Sequence, residues 1–196
     1  MSGNITRMVT PNGEIITILP ITIKIDRSTG NYFAFDENSG REYSIAELMR
    51  MANDGNPSAQ CAMGNYYNTE SPHADFHEAF KWYKKAAVQN HAEALWNMGN
   101  FYALGMGGVK KDFEKTCALL EESANYGFLE AMFHLGQVFM SNDIYDKAIY
   151  WLEKADKLGH SEASKHLEAA KLLSGLMDNP ALKESFGNIS KNLWNN

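Results

Sequence analysis

Hydrophobic positions follow one period up to residue 43 and another beyond it. Residues 14–19, EIITIL, form a β-branched and aliphatic run that Pro20 interrupts. Over residues 21–26, ITIKID, Ile21, Ile23 and Ile25 fall on one face of an extended chain. Thr22, Lys24 and Asp26 fall on the other, and this period of two marks a strand. Residues 27–31, RSTGN, supply a hairpin loop, and Tyr32–Asp36, YFAFD, an aromatic strand. Residues 37–40, ENSG, turn again, and Arg41–Tyr43 add a short last strand. Residues 1–13 read as polar, closing on the turn signal Pro11-Asn12-Gly13. The pattern predicts a β-meander of three or four strands in residues 1–43. So small a sheet is marginal alone and needs a neighbour over its apolar face. The first helix of the following segment is positioned to be that neighbour.

Beyond residue 43 the apolar positions recur with helical spacing. Ser44 reads as an N-cap with Glu47 in capping-box register, and Gly55 as the residue that ends this first helix. A longer repeat then appears. Ala59, Ala94, Ala131 and Ala163 recur at spacings of 35, 37 and 32 residues. Five residues after the first three comes Gly64, Gly99 or Gly136, and three later an aromatic ring, Tyr67, Tyr102 or Phe139. A second set follows each first: Ala79, Trp82, Ala86; Thr116, Leu119, Ser123; Ala148, Trp151, Ala155. Asn90, Gly127 and Gly159 come four residues past each. Small residues let paired helices approach closely, the rings fill the space beyond, and the trailing Gly or Asn takes a left-handed conformation. One such hairpin cannot bury its faces alone, so neighbours must stack.

The segment AEALWNMGNFY resembles the first helix of a tetratricopeptide repeat. The whole unit, with its segment LGMGGVKKDFEKTCALL and tight junction at residues 123–131, is more similar to the Sel1-like repeat. The resemblance covers roughly residues 55–170. The first and third units depart from it in their loops, NTESPHADFHE and SNDIYD. The fold class expected is α+β, mainly α: a short α-solenoid of Sel1-like helix hairpins preceded by a small N-terminal β-meander. Residues 44–177 would hold the array. Residues 178–196 would be a C-terminal capping helix, with Pro180 at its first turn and Leu182, Phe186, Ile189 and Leu193 on one face. The resemblance implies a non-enzymatic protein–protein interaction module whose first helices line a concave groove. It nominates Cys61, Asn65 and Asn68 in the first unit, Glu93, Trp96 and Asn100 in the second, and Glu130, Phe133 and Gln137 in the third. It also implies a narrower role, that of a bacterial immunity protein neutralising a secreted toxin, with a basic toxin as the partner of an acidic chain.

Composition narrows this picture in a few places. The formal net charge of −6, with no basic run longer than Lys84-Lys85 or Lys110-Lys111, argues against nucleic acid. The N-terminus shows no basic region followed by an apolar one, and IITILPITIKI is too short and interrupted to span a bilayer. A cytoplasmic protein without membrane attachment is expected. Cys61 and Cys117 lie in apolar helical contexts and read as two buried free thiols. Gly105–Lys111, GMGGVKK, lacks phosphate-loop spacing and reads as the loop of a helix hairpin. His73 and His77 form an HxxxH pair lacking a firm third ligand, so exposed histidines are favoured over a metal site. No catalytic constellation or cofactor is expected. The competing reading is a metal-binding or enzymatic protein using His73/His77 or the β-meander edge; self-assembly through that edge or the last helix is a third.

Overall fold

The computed structural model describes residues 6–9, 15–18, 21–69 and 73–177. Its element order is β1 (Thr6–Val9), β2 (Ile15–Ile18), β3 (Ile21–Ile25), β4 (Tyr32–Asp36), β5 (Arg41–Ser44), then α1 (Ile45–Asn53), α2 (Pro57–Asn68), α3 (Phe76–Ala87), α4 (Ala92–Leu104), α5 (Phe113–Asn125), α6 (Leu129–Met140), α7 (Tyr145–Lys157) and α8 (Ala163–Met177). The chain is thus mainly helical, a solenoid of helix hairpins after a small β region. It divides into two compact units, residues 1–131 and 132–196, the division falling within α6.

The expected meander is the β3–β4–β5 sheet, and the strand pair before it adds to that expectation. Residues 6–9, expected to be polar coil, are a strand that pairs antiparallel with β2, Thr6 opposite Ile18. The strands form two sheets: β1–β2 by itself, and β3–β4–β5. A proline at position 20 has no N–H to donate, so one ladder cannot run unbroken from residue 15 to residue 25. The β3–β4 register sets Ile21 opposite Asp36 and Ile25 opposite Tyr32. Its hairpin is tied by Asp26, whose carboxylate accepts from Ser28 N–H at 2.9 Å, Ser28 Oγ at 2.7 Å and Thr29 Oγ1 at 2.8 Å.

The predicted neighbour covers this sheet. Ile21 and Ala34 are buried in one cluster with Leu48 and Ala52 of α1, Ala59, Ala62, Met63 and Tyr66 of α2, and Trp82 of α3. The Ile face loses its cover along the strand, from Ile21 at 8% exposure to Ile25 at 51%. α1 starts on the capping box read from sequence: Ser44 Oγ accepts from Glu47 N–H at 3.2 Å, and Glu47 returns a bond to Ser44 N–H at 3.0 Å. Gly55 follows the helix at φ +96°.

Each glycine mark sits where a helix of the same hairpin comes close. A Cβ at Gly64 would collide with the buried Tyr83 ring, and one at Gly136 with Leu152. At Gly99 it would lie 3.0 Å from a Leu120 methyl. Asn90, Gly127 and Gly159 have φ of 62°, 84° and 82°, the left-handed geometry that ends each second helix. Ser123 replaces the alanine of the other units at a fully buried position, and its hydroxyl donates to the Ala92 carbonyl at 2.7 Å. Within residues 132–196, Leu135, Phe139, Ala148, Trp151, Leu152, Ala155, Ala163, Leu167 and Ala170 are buried. The proposed capping segment, with Pro180, Leu182, Phe186, Ile189 and Leu193, lies outside the described residues.

Candidate functional site

The nominated positions lie on α2, α4 and α6, and the sequence explains why these segments are helices. Asn56 caps α2 by accepting from Ala59 N–H at 3.0 Å, with Pro57 in its first turn. His91 caps α4, its Nδ1 accepting from Ala94 N–H at 3.4 Å. That ring is neutral in function: burial pushes its pKa down to about 4. Glu93, Trp96 and Asn100 then stand at i, i+3 and i+7 on α4, one face of the helix.

The first repeat draws its polar residues inward. Asn65 donates from Nδ2 to Glu93 at 3.0 Å. Its Oδ1 accepts from the Tyr83 hydroxyl at 2.8 Å and from Asn97 Nδ2 at 3.4 Å. Asn68 lies within hydrogen-bond reach of the same hydroxyl. The Cys61 thiol donates to Glu93 and faces Asn97. This knot joins α2, α3 and α4 across two repeats. Burial raises the Glu93 pKa above the usual carboxylate range, and the charge of Glu130 adds to it. Burial also pushes the Cys61 thiol and the Tyr83 hydroxyl up, so both stay protonated donors.

Cys61 is 2% exposed and Phe133 6%, so both support the surface from beneath. Asn65, Asn68, Glu93, Trp96, Asn100, Glu130 and Gln137 are half-buried. The Trp96 ring packs against Phe128 at 5.5 Å. In residues 132–196, Phe133 stacks on His160 at 4.0 Å and meets His166 edge-on at 4.9 Å. Gln137 lies 3.4 Å from His166 Nε2. Asn65 and Gln137 therefore reach to the same place, the residue three past the next alanine mark. Asn100, in the same register, makes no side-chain hydrogen bond among the described residues.

Sequence reasoning missed Tyr83 and Asn97. Tyr83 lies one helical turn past the Ala79 mark, and the matching positions hold Leu120 and Leu152. A polar residue in a column of leucines was the available signal.

The competing candidates resolve into structure. His73 stacks on Tyr66 at 5.6 Å and meets Tyr32 edge-on at 6.2 Å, whereas His77 packs under Gly108. Asp75, the nearest third ligand, is spent capping α3 through His77 and Glu78 N–H. Among the described residues no group of three metal-ligating side chains lies close enough to share an ion. In the glycine segment, Gly105 ends α4 at φ +71°, and Gly107 passes under the Phe76 carbonyl where a Cβ would lie at 2.7 Å. Both features are those of a hairpin loop. Beside the β3–β4 hairpin an open depression of about 580 Å³ is bordered by Ile25, Phe33 and Glu42. Asp26 on its rim is held at a pKa of about 2 by its hairpin hydrogen bonds, first among them Ser28, and is unsuited to general-base work. Cys61 and Cys117 are thiols outside any disulfide, and Cys117 is only half-buried.

Stacked two-helix units with alanine and glycine at each crossing define a helical-repeat scaffold. The Sel1 repeat model matches residues 57–91, 92–128 and 124–160, and the chain belongs to the Sel1 repeat family. An uncharacterised protein of Neisseria meningitidis serogroup B is 37% identical over 104 residues, 53% of this chain and 22% of that protein. Chitin synthase regulatory factor 4 of Schizosaccharomyces pombe is 30% identical over 116 residues, 58% of this chain and 18% of that protein. The chain thus spans about a fifth of the length of these curated relatives. A solved Sel1 repeat protein from Oxalobacter formigenes is 29% identical with a TM-score of 0.55, covering 64% of this chain and 97% of that one. Sel1 repeat proteins generally mediate protein–protein interaction. Among the described residues no helix is long and apolar enough to cross a membrane.

Proposed function

We infer that this chain is a non-enzymatic interaction module that holds a partner protein or peptide on the first-helix face of its repeats. The observation that carries this reading is the unequal use of the polar register. Asn65 is consumed by three hydrogen-bond partners, while Asn100, half-buried beside Trp96, makes no side-chain hydrogen bond among the described residues and can offer its amide to a partner's backbone or side chain. A half-buried tryptophan adds contact area that costs little side-chain entropy to order.

A narrower form of the reading is an immunity protein in a bacterial cytoplasm, neutralising a basic toxin. The net charge of −6 supports the sign of that partner, since complementary charge speeds encounter and suppresses wrong pairings. Affinity capture from the native cell, with mass spectrometry of what co-elutes, tests both forms. Asn100→Arg with Gln137→Arg is expected to abolish capture; unchanged capture would remove the first-helix face from consideration. A single one-to-one partner supports the immunity role, and a broad set of weak partners rejects it.

A further inference from the structure

α8 has two sides that can pack. Ala163, Leu167 and Ala170 are buried on one, and Lys171 at its margin pairs with Glu153 of α7 at 2.8 Å. The other carries Lys165, Ala169, Leu172 and Leu176 at steps of four, three and four residues, which makes one stripe of a helix. Leu172, within that stripe, is 65% exposed. Elsewhere in the array a first helix is met by the second helix of its own hairpin, as Gly136 of α6 is by Leu152 of α7. α8 carries the fourth alanine mark, Ala163, and among the described residues no second helix follows it. We propose that residues 180–194 are that second helix and lie antiparallel on the Leu172 stripe of the same chain.

The two segments match in spacing. Leu182, Phe186, Ile189 and Leu193 also recur at steps of four, three and four residues. Run antiparallel, they set Leu182 against Leu176, Phe186 against Leu172 and Ile189 against the small Ala169. Leu193 then meets the aliphatic stem of Lys165. Glu184 and Lys191 fall on the far side of such a helix. The turn is long enough: residues 141–144 connect α6 to α7, and residues 178–181 give the same four before Leu182. Pro180 suits a first helical turn. Glu168 stands five residues after Ala163, where the other hairpins have glycine, so the crossing moves one turn on to Leu172. Docked there, the segment closes the stripe to any other amphipathic helix.

Hydrogen–deuterium exchange of the full chain tests this. Amides of residues 183–193 are expected to exchange at least about tenfold slower than those of an unstructured chain. Leu172→Glu changes an exposed position and leaves the buried side of α8 intact. It should lower that protection at least about fivefold. Ser164→Glu, exposed on α8 but off the stripe, should leave it unchanged. Protection should also hold when the protein is diluted about a hundredfold. Unprotected residues 183–193 overturn the assignment, as does protection that Leu172→Glu leaves intact or that Ser164→Glu lowers equally. Protection lost on dilution makes a second copy the occupant and overturns it too.

Discussion

The first and second repeats use the same helix register for different ends. Under Gly64 lies Tyr83, whose hydroxyl closes a knot around Asn65; under Gly99 lies Leu120, which has no hydroxyl to offer Asn100. One substitution on a second helix thus decides whether the amide on the first helix serves the fold or stands available. A buried polar cluster that is fully satisfied rigidifies the crossing it spans. The lesson is that a polar ladder along repeat proteins cannot be read as ligand-facing until the residue beneath each rung is known.

The sharpest way to break the closed rung is Gly64→Ala. Its methyl meets a ring that is fully buried and cannot withdraw, so denaturant unfolding should show a loss of about 3 kcal/mol. Gly99→Ala meets the Leu120 side chain at 3.0 Å, a milder contact than the ring under Gly64, and its better helix propensity offsets part of it, leaving a loss of about 1 kcal/mol.

The caps of the two first helices differ in the same spirit. Asn56 does not titrate, whereas His91 caps α4 through a neutral nitrogen with a folded pKa of about 4 against an ordinary 6.5. The unfolded chain takes up this proton first. Stability from this group is complete above about pH 6.5 and falls as pH drops toward 4, by up to about 3 kcal/mol, then levels off. Glu93, with its raised pKa, works in the opposite sense, contributing at acid pH and losing that contribution as pH rises through its folded value. His91→Asn keeps an acceptor and should flatten the slope between pH 6.5 and 4; an unchanged slope would locate the titration elsewhere.

Smaller effects refine the comparison. Asn65→Ala takes one hydrogen bond each from the Tyr83 hydroxyl, the Glu93 carboxylate and Asn97 and should lose about 2 kcal/mol, while Asn100→Ala should stay within about 0.5 kcal/mol of wild type. Similar losses for the two would erase the distinction between the rungs. Tyr83→Phe removes the hydroxyl's bond to Asn65 and its contact with Asn68 but keeps the ring, for a loss of about 1 kcal/mol.

Much of the scaffold was legible because its constraints are local. Ser44 and Glu47 announced a capping box, and the alanine, glycine and aromatic marks placed every hairpin of residues 57–160. The β region was legible only where alternation was strong. Thr6–Val9 has mixed polarity and becomes a strand through pairing with Ile15–Ile18, a nonlocal choice that no period reveals. The helix register of the candidate positions was legible, but their hydrogen bonding was not. Asn65, Asn100 and Gln137 occupy one register in the sequence; what separates them is Tyr83, Leu120 and His166, residues on other helices. Cys61 is buried as its apolar context suggests, although the repeat register also places it with the groove positions; Phe133 reads as a groove position by register, yet neighbouring residues bury it.

The central claim is that a partner meets the first-helix face at the open rung of the second repeat. Site-specific photocrosslinking tests it most directly, with p-benzoylphenylalanine placed at Asn100 and, separately, at Tyr150, which is 52% exposed on the second helix α7. Irradiated in the native cell, the protein labelled at position 100 should give one discrete adduct and the protein labelled at position 150 none. An adduct at position 150 with none at position 100 would contradict the account.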